Sequence, residues 1–150
     1  MKTKNKILFV CIHNSARSQM AEAYLKEMAS ESFDTYSAGI EPGSLNQIVV
    51  EVMKTDGIDI SANKVNSVNE FLDQKIKFDY VVTVCDETSA EKCPYFPGNG
   101  KRLHWGFEDP SSINGSIEDR INQTIQIRDQ IKRRVKEFLL NIVMSKDNDI

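Results

Sequence analysis

The chain has 150 residues, 40% of them hydrophobic, and a formal net charge of −3. That length supports one domain spanning 1–150 with a core that needs no disulfide support, and the mild negative charge leaves no electrostatic footprint for nucleic acid. No apolar run approaches the ~18–20 residues that span a bilayer, and the run after the polar, basic segment Met1 to Lys6 is too short for a signal peptide, so a cytoplasmic protein with no membrane partner is expected.

In chain order, Ile7-Leu8-Phe9-Val10 is a β-branched and aromatic run that reads as a buried strand. After Arg17, the apolar residues Met20, Ala21, Tyr24, Leu25 and Met28 recur one helical turn apart. Phe33 to Ser37 reads as a short strand closing at Ala38-Gly39, with a turn at Pro42-Gly43. Asn46 is placed to cap a helix with Ile48, Val49, Val52 and Met53 inward, ending near Asp56-Gly57. A shorter helix is expected around Val68 to Leu72. Tyr80 to Val84 is the clearest strand, and Lys101 to Trp105 is a weaker one. From Ile117 to about Val143 the pattern is helical, with Ile117, Ile121, Ile125, Ile131, Val135, Phe138 and Ile142 as its apolar stripe. The last residues, Ser145 to Ile150, are expected to fray. Strand–helix–strand alternation of this kind implies a parallel sheet with helices on both faces.

The loop CIHNSARS, residues 11–18, lies between the end of the first strand and the start of the first helix. Free backbone N–H groups and the positive end of the helix dipole make such a place an anion site. A cysteine facing that field is biased toward thiolate, and Arg17 can grip a tetrahedral oxyanion with two parallel N–H bonds. The spacing Cys-x5-Arg-Ser alone is weak, since cysteines at strand ends are often inert buried thiols. The strand–loop–helix setting is what points to a nucleophile and its oxyanion cradle.

Ligands of parallel sheets bind outside the carboxyl ends of the strands. Cys11 falls at such an end, and so does Cys85, directly after Val84. The third cysteine, Cys93, closes the polar stretch CDETSAEKC before Pro94. No Cys-x2-Cys pair or nearby histidine supports a metal there. A helix of this length spans about 12 Å, whereas bonded cysteines need Cα atoms within about 7 Å. If Asp86 to Lys92 is helical, it must unwind before Cys85 and Cys93 can join. The alternative is two unrelated thiols. Asp109, fixed in an extended backbone by Pro110, is a candidate acid for a leaving oxygen, with a plain turn aspartate as its alternative. His104 is read as packing in or beside its strand, and His13 as a tolerated loop position.

Taken together, CIHNSARSQMAEA at 11–23, YSAGIEP at 36–42, VVTVCDE at 81–87, CPYFPG at 93–98 and HWGFEDP at 104–110 resemble the thioredoxin-coupled arsenate reductases. Those enzymes share the fold of the low-molecular-weight protein tyrosine phosphatases. The resemblance implies a three-layer, doubly wound α/β fold with a four-stranded parallel sheet. It implies that Cys11 attacks arsenate while Asn14, Ser15, Ala16, Arg17 and Ser18 form the oxyanion loop, a loop that phosphate or sulfate also fits. Ser18 would stabilise the thiolate and Asn14 would shape the loop. Asp109 would protonate the departing oxygen. Cys85 would then release arsenite by forming a Cys11–Cys85 disulfide, and Cys93 would carry that disulfide to the surface for thioredoxin, the electron donor. No bound cofactor and a monomer are implied.

Some members bind potassium beside the loop, and Asn14 and Glu22 match those positions. Lys64 and Asn66, however, replace a hydroxyl and a carboxylate there, and an ammonium at Lys64 can stand in for the ion electrostatically, so no potassium site is expected. Two rivals use parts of the same set. A tyrosine phosphatase would share the loop and Asp109, but it would have no need of Cys93, and Ser111-Ser112 offer no aromatic wall for a phosphotyrosine ring. A non-enzymatic arsenite-binding thiol protein would leave Arg17 and Asp109 without a job.

Overall fold

A computed structural model describes residues 4–86, 89 and 91–148. Four parallel strands, β1 (Asn5–Cys11), β2 (Phe33–Gly39), β3 (Tyr80–Thr83) and β4 (Lys101–His104), stand in the order β2-β1-β3-β4. The helices are α1 (Arg17–Ala29), α2 (Gln47–Thr55), α3 (Val68–Asp73) and α4 (Ile117–Asn148), with a 3₁₀ turn at Pro110–Ser112. The α/β architecture is therefore the expected one.

The period-2 alternation of β1 divides the core in two. Ile7, Phe9 and Cys11 enter one cluster with Met20 and Tyr24 of α1, Val49 and Met53 of α2, and Ile127, Ile131, Val135 and Phe138 of α4. Leu8 and Val10 enter the other with Val68 and Phe71 of α3, Phe78, Val81 and Cys93. Aromatic rings line both sides. Trp105 stands between Phe9 and Phe138 at centroid distances of 5.7 and 5.5 Å, while Phe78 meets Tyr36, Phe71 and Phe96 on the opposite side.

The helix starts follow local chemistry. Asn46 Oδ1 accepts from the N–H groups of Ile48 and Val49, and Ser67 caps α3 through the Asn69 N–H. In α2 the fully buried residues are Val49, Val50, Val52 and Met53, with Ile48 only half-buried. The expected stripe of α4 needs correction at its start. Ile117 is exposed, because the first turn of α4 precedes its seat on the sheet, and Thr124 and Ile127 are buried instead. The helix also runs to Asn148 rather than ending near Val143, since no glycine or proline interrupts it. The proposed helix between Cys85 and Cys93 falls partly on residues 87, 88 and 90, outside the described residues. Asp86 does open a turn there, accepting from Ser89 N–H at 2.8 Å.

Candidate active site

In register, Cys11 pairs with Gly39, Val10 with Thr83, and Thr83 with His104. The carboxyl ends of all four strands thus face one edge, with Cys85 two residues past the end of β3. The loop after Cys11 is pinned from outside by its carbonyls. Ile40 N–H donates to Cys11 O (3.1 Å), Glu41 N–H to Ile12 O (2.7 Å), Gly43 N–H to His13 O (3.0 Å) and Asn46 N–H to Ser15 O (2.9 Å). With its carbonyls turned outward in this way, the loop can offer N–H groups inward. Gly39 permits the approach, because a Cβ there would lie 2.7 Å from the His13 carbonyl carbon and 2.8 Å from Asn14 N. The start of α1 has neither a side-chain cap nor an acidic residue in its first turn. Those unclaimed donors are what an anion requires.

Asn14 organises the interior. Its φ of 53° is left-handed, a conformation asparagine tolerates better than most residues. Its backbone N–H donates to Cys11 Sγ at 3.1 Å. Its Nδ2 donates to Ser18 Oγ (2.7 Å) and Ser37 Oγ (2.9 Å), while its Oδ1 accepts from Asn66 N–H (2.8 Å) and Gln19 Nε2 (3.2 Å). Because Ser18 Oγ accepts from Asn14, its own proton is directed to Cys11 Sγ, 2.9 Å away. By the same logic Ser37 donates onward to Glu22 Oε1 at 3.0 Å. Hydrogen bonds thus diverge from the Asn14 amide, donated through Ser18 to the Cys11 sulfur on one side and through Ser37 to the buried Glu22 carboxylate on the other.

Burial pushes Glu22 up from the ordinary carboxylate range, while Lys26 and Ser37 pull it back. The cation beside it is Lys26, one helical turn on, at 3.3 Å. Lys64 is exposed and contributes its carbonyl instead of its ammonium, accepting from Gln19 Nε2 at 3.0 Å. The potassium site of some relatives does not fit these residues. The amides of Asn14 and Asn66 turn their N–H groups on Ser37, Asn66 Nδ2 reaching the Ser37 carbonyl at 3.1 Å, and Lys26 already neutralises Glu22.

Arg17, only 5% exposed, donates from Nη1 to the Phe107 carbonyl (3.1 Å) and places Nη2 3.7 Å from Asp109 Oδ2. Asp109 is held by its own turn, accepting from Ser111 N–H and Ser112 Oγ. The guanidinium and the candidate acid are thus brought together across a wide sequence separation. Ser15 and Ala16 are buried in the loop.

Cys85 is fully buried in the same cluster as Cys11. Burial pushes its thiol up to about 11, the Arg17 guanidinium pulls it down, and Cys11 pushes it up further. Its core cluster also contains Ala16 of the loop. Cys93 is also buried, in the opposite cluster, so its expected place near the surface is corrected. His104 is an exposed residue at the end of β4, its Nδ1 2.8 Å from Thr83 Oγ1, and His13 Nδ1 sits 2.7 Å from the Glu41 carbonyl. Sequence reasoning missed Gln19, Ser37 and the bridging role of Asn46, whose Nδ2 reaches Ser111 Oγ at 2.9 Å. Nine consecutive buried residues at the start of α1, Arg17 to Leu25, are the trace these supporting groups leave.

The profile described as low molecular weight phosphotyrosine protein phosphatase matches residues 6–148. The arsenate reductase of Bacillus subtilis is 44% identical over 138 residues, covering 90% of this chain and 96% of that protein. A solved arsenate reductase in its oxidized state is similar with a TM-score of 0.77 at 26% identity, over 92% of this chain and 98% of that one. The thioredoxin-dependent arsenate reductase of Corynebacterium glutamicum is similar with a TM-score of 0.65 at 28% identity, over 96% of this chain and 64% of that one.

Proposed function

The chain belongs to the low molecular weight phosphotyrosine protein phosphatase family, and within it we propose an arsenate reductase of one domain that serves arsenical resistance. The observation that carries this reading is a second buried cysteine, Cys85, packed in the same core cluster as Cys11 and beyond the same sheet edge. Phosphoryl transfer has no use for that thiol, whereas reduction requires it.

Cys11 Sγ, held by the Asn14 N–H and the Ser18 hydroxyl, attacks arsenic(V) while Arg17 and the loop amides balance the charge of the oxyanion. Asp109 gives a proton to the departing oxygen. Cys85 Sγ then attacks Cys11 Sγ. The sulfur–sulfur bond forms, the sulfur–arsenic bond breaks with its electron pair left on arsenic, and arsenite leaves. Cys93 Sγ attacks Cys85 Sγ in turn and frees the Cys11 thiolate. Thioredoxin supplies two electrons to the Cys85–Cys93 disulfide, a partner supported by the thioredoxin-dependent relative. Phosphate and sulfate fit the same loop by shape and charge. The protein acts as a cytoplasmic monomer; among the described residues no helix is long and apolar enough to cross a membrane.

The test is arsenate-dependent NADPH oxidation with thioredoxin and thioredoxin reductase. Consumption should require every component. In Cys93→Ala, one equivalent of arsenite should appear per enzyme and turnover should then stop. Efficient cleavage of an aryl phosphate with no arsenate-dependent consumption would transfer the assignment to a phosphatase, whose loop and Arg17–Asp109 pair would be the same.

A further inference from the structure

Cys93 is the one buried residue between Glu91 and Gly100; Tyr95 is 83% exposed, and Pro94 and Phe96 are half-buried. A hollow of about 80 Å³ lies beneath this segment, lined by Phe78, Val81, Tyr95, Phe96, Gly98 and Arg102. Packing alone therefore fixes the segment weakly. Polar bonds from β4 do more. Arg102 Nη2 donates to the Cys93 carbonyl at 2.6 Å and Nη1 to the Pro94 carbonyl at 3.1 Å. The guanidinium also lies 4.3 Å from the centroid of the Tyr95 ring. The planar fork thus spans two successive carbonyls and carries an exposed aromatic on its face. The thiol itself donates a long bond, 3.6 Å, to the Pro94 carbonyl, and the Arg102 guanidinium also acts on its sulfur.

In this position Cys93 belongs to the opposite core cluster from Cys85. Joining the pair takes the Cys93 sulfur out of one cluster and toward the other. We propose that Arg102 is a positioning residue for the disulfide relay: its fork latches the backbone of Cys93 and Pro94 to β4, favours the dithiol state of the Cys85–Cys93 pair, and opens when that disulfide forms. This inference rests on the relay of the preceding subsection. In the step concerned, the Cys93 thiolate, its proton given to solvent, attacks Cys85 Sγ of the Cys11–Cys85 disulfide. The new bond joins Cys85 and Cys93, and the electron pair of the broken bond departs on Cys11 Sγ.

A latch of this kind sets a redox potential, which a merely structural contact does not. Equilibrate the full chain carrying Cys11→Ser, in which only Cys85 and Cys93 remain, against a dithiol–disulfide buffer, and count the oxidised pair by mass spectrometry. Arg102→Met should favour the disulfide about tenfold, a potential about 30 mV more negative. Arg102→Lys, which keeps the charge but not the fork, should shift in the same direction. An unchanged potential in Arg102→Met, or a wild-type value in Arg102→Lys, overturns the latch while the relay stands. A pair that never oxidises in the Cys11→Ser chain overturns the relay and the latch together. The arsenate reaction is judged separately, by first-turnover arsenite from the unsubstituted protein.

Discussion

Cys85 carries the strongest chemical tension in the site. A thiol pushed up to about 11 by burial leaves only about one molecule in ten thousand as thiolate at neutral pH. Reaction at Cys85 should therefore steepen with pH. Alkylation by iodoacetamide, followed peptide by peptide, should rise about tenfold per pH unit from 8 to 10 and level off near 11; levelling below 9 would show that Arg17 outweighs burial. Stability should move the opposite way. The folded state holds the Cys85 proton more tightly than the ordinary 9.0, so this contribution is complete below pH 9 and is lost as pH rises through about 11. Residues of this kind differ in how far they can be read from sequence. Cys11 and Arg17 are legible because one short strand–loop–helix segment contains both, whereas Asn14 and Ser18 are legible only through the resemblance. Ser37, Gln19 and Arg102 are not, because each acts through a partner brought near by the fold: Glu22, Asn63 or the Cys93 carbonyl.

Three helices meet at one carboxylate. Tyr24 of α1 donates from its hydroxyl to Asp56 Oδ2 at 2.7 Å, Asp56 closes α2, and Lys132 of α4 reaches the same oxygen at 3.0 Å. Burial pushes the Tyr24 phenol up, and the hydrogen bond from Tyr24 followed by that from Lys132 holds Asp56 below its usual range. Removing the hydroxyl in Tyr24→Phe should cost about 1 kcal/mol, read as a fall in Tm of about 2–4 °C at pH 7. A depressed carboxylate gives stability above its ordinary 3.8 that is lost as the acid form takes over. The gap between variant and wild type should therefore narrow by pH 3, and a gap that persists there would mean that the hydroxyl bonds the neutral carboxyl as well as the carboxylate. Element-level reading succeeded where a local rule was sufficient, as at the Asn46 cap and the parallel strands. It failed for Ile117 because an apolar period fixes the stripe of a helix but not the turn at which that helix reaches the sheet.

Across the whole molecule the sheet separates two cores of unequal build. One is closed by α1, α2 and α4 and contains Cys11 and Cys85. The other is closed, among the described residues, by the short α3 and the segment around Cys93 and Phe96. Chemistry that begins at Cys11 and ends at Cys93 must pass from the first core to the second, and the lightly covered face is the one able to yield. The heavier side preserves the anion loop, since α1 both fills that core and supplies Arg17, Ser18 and Gln19. Oxidation of the Cys85–Cys93 pair in the Cys11→Ser chain should therefore raise amide hydrogen exchange in α3 and in residues 91–98, with α1 and α4 unchanged. Peptide-resolved deuterium uptake in the two redox states measures this directly. Increased exchange in α1 would mean that the relay loosens the anion loop at each turnover. Exchange confined to the second face would mean that the loop stays formed for the next arsenate while the disulfide awaits its reductant.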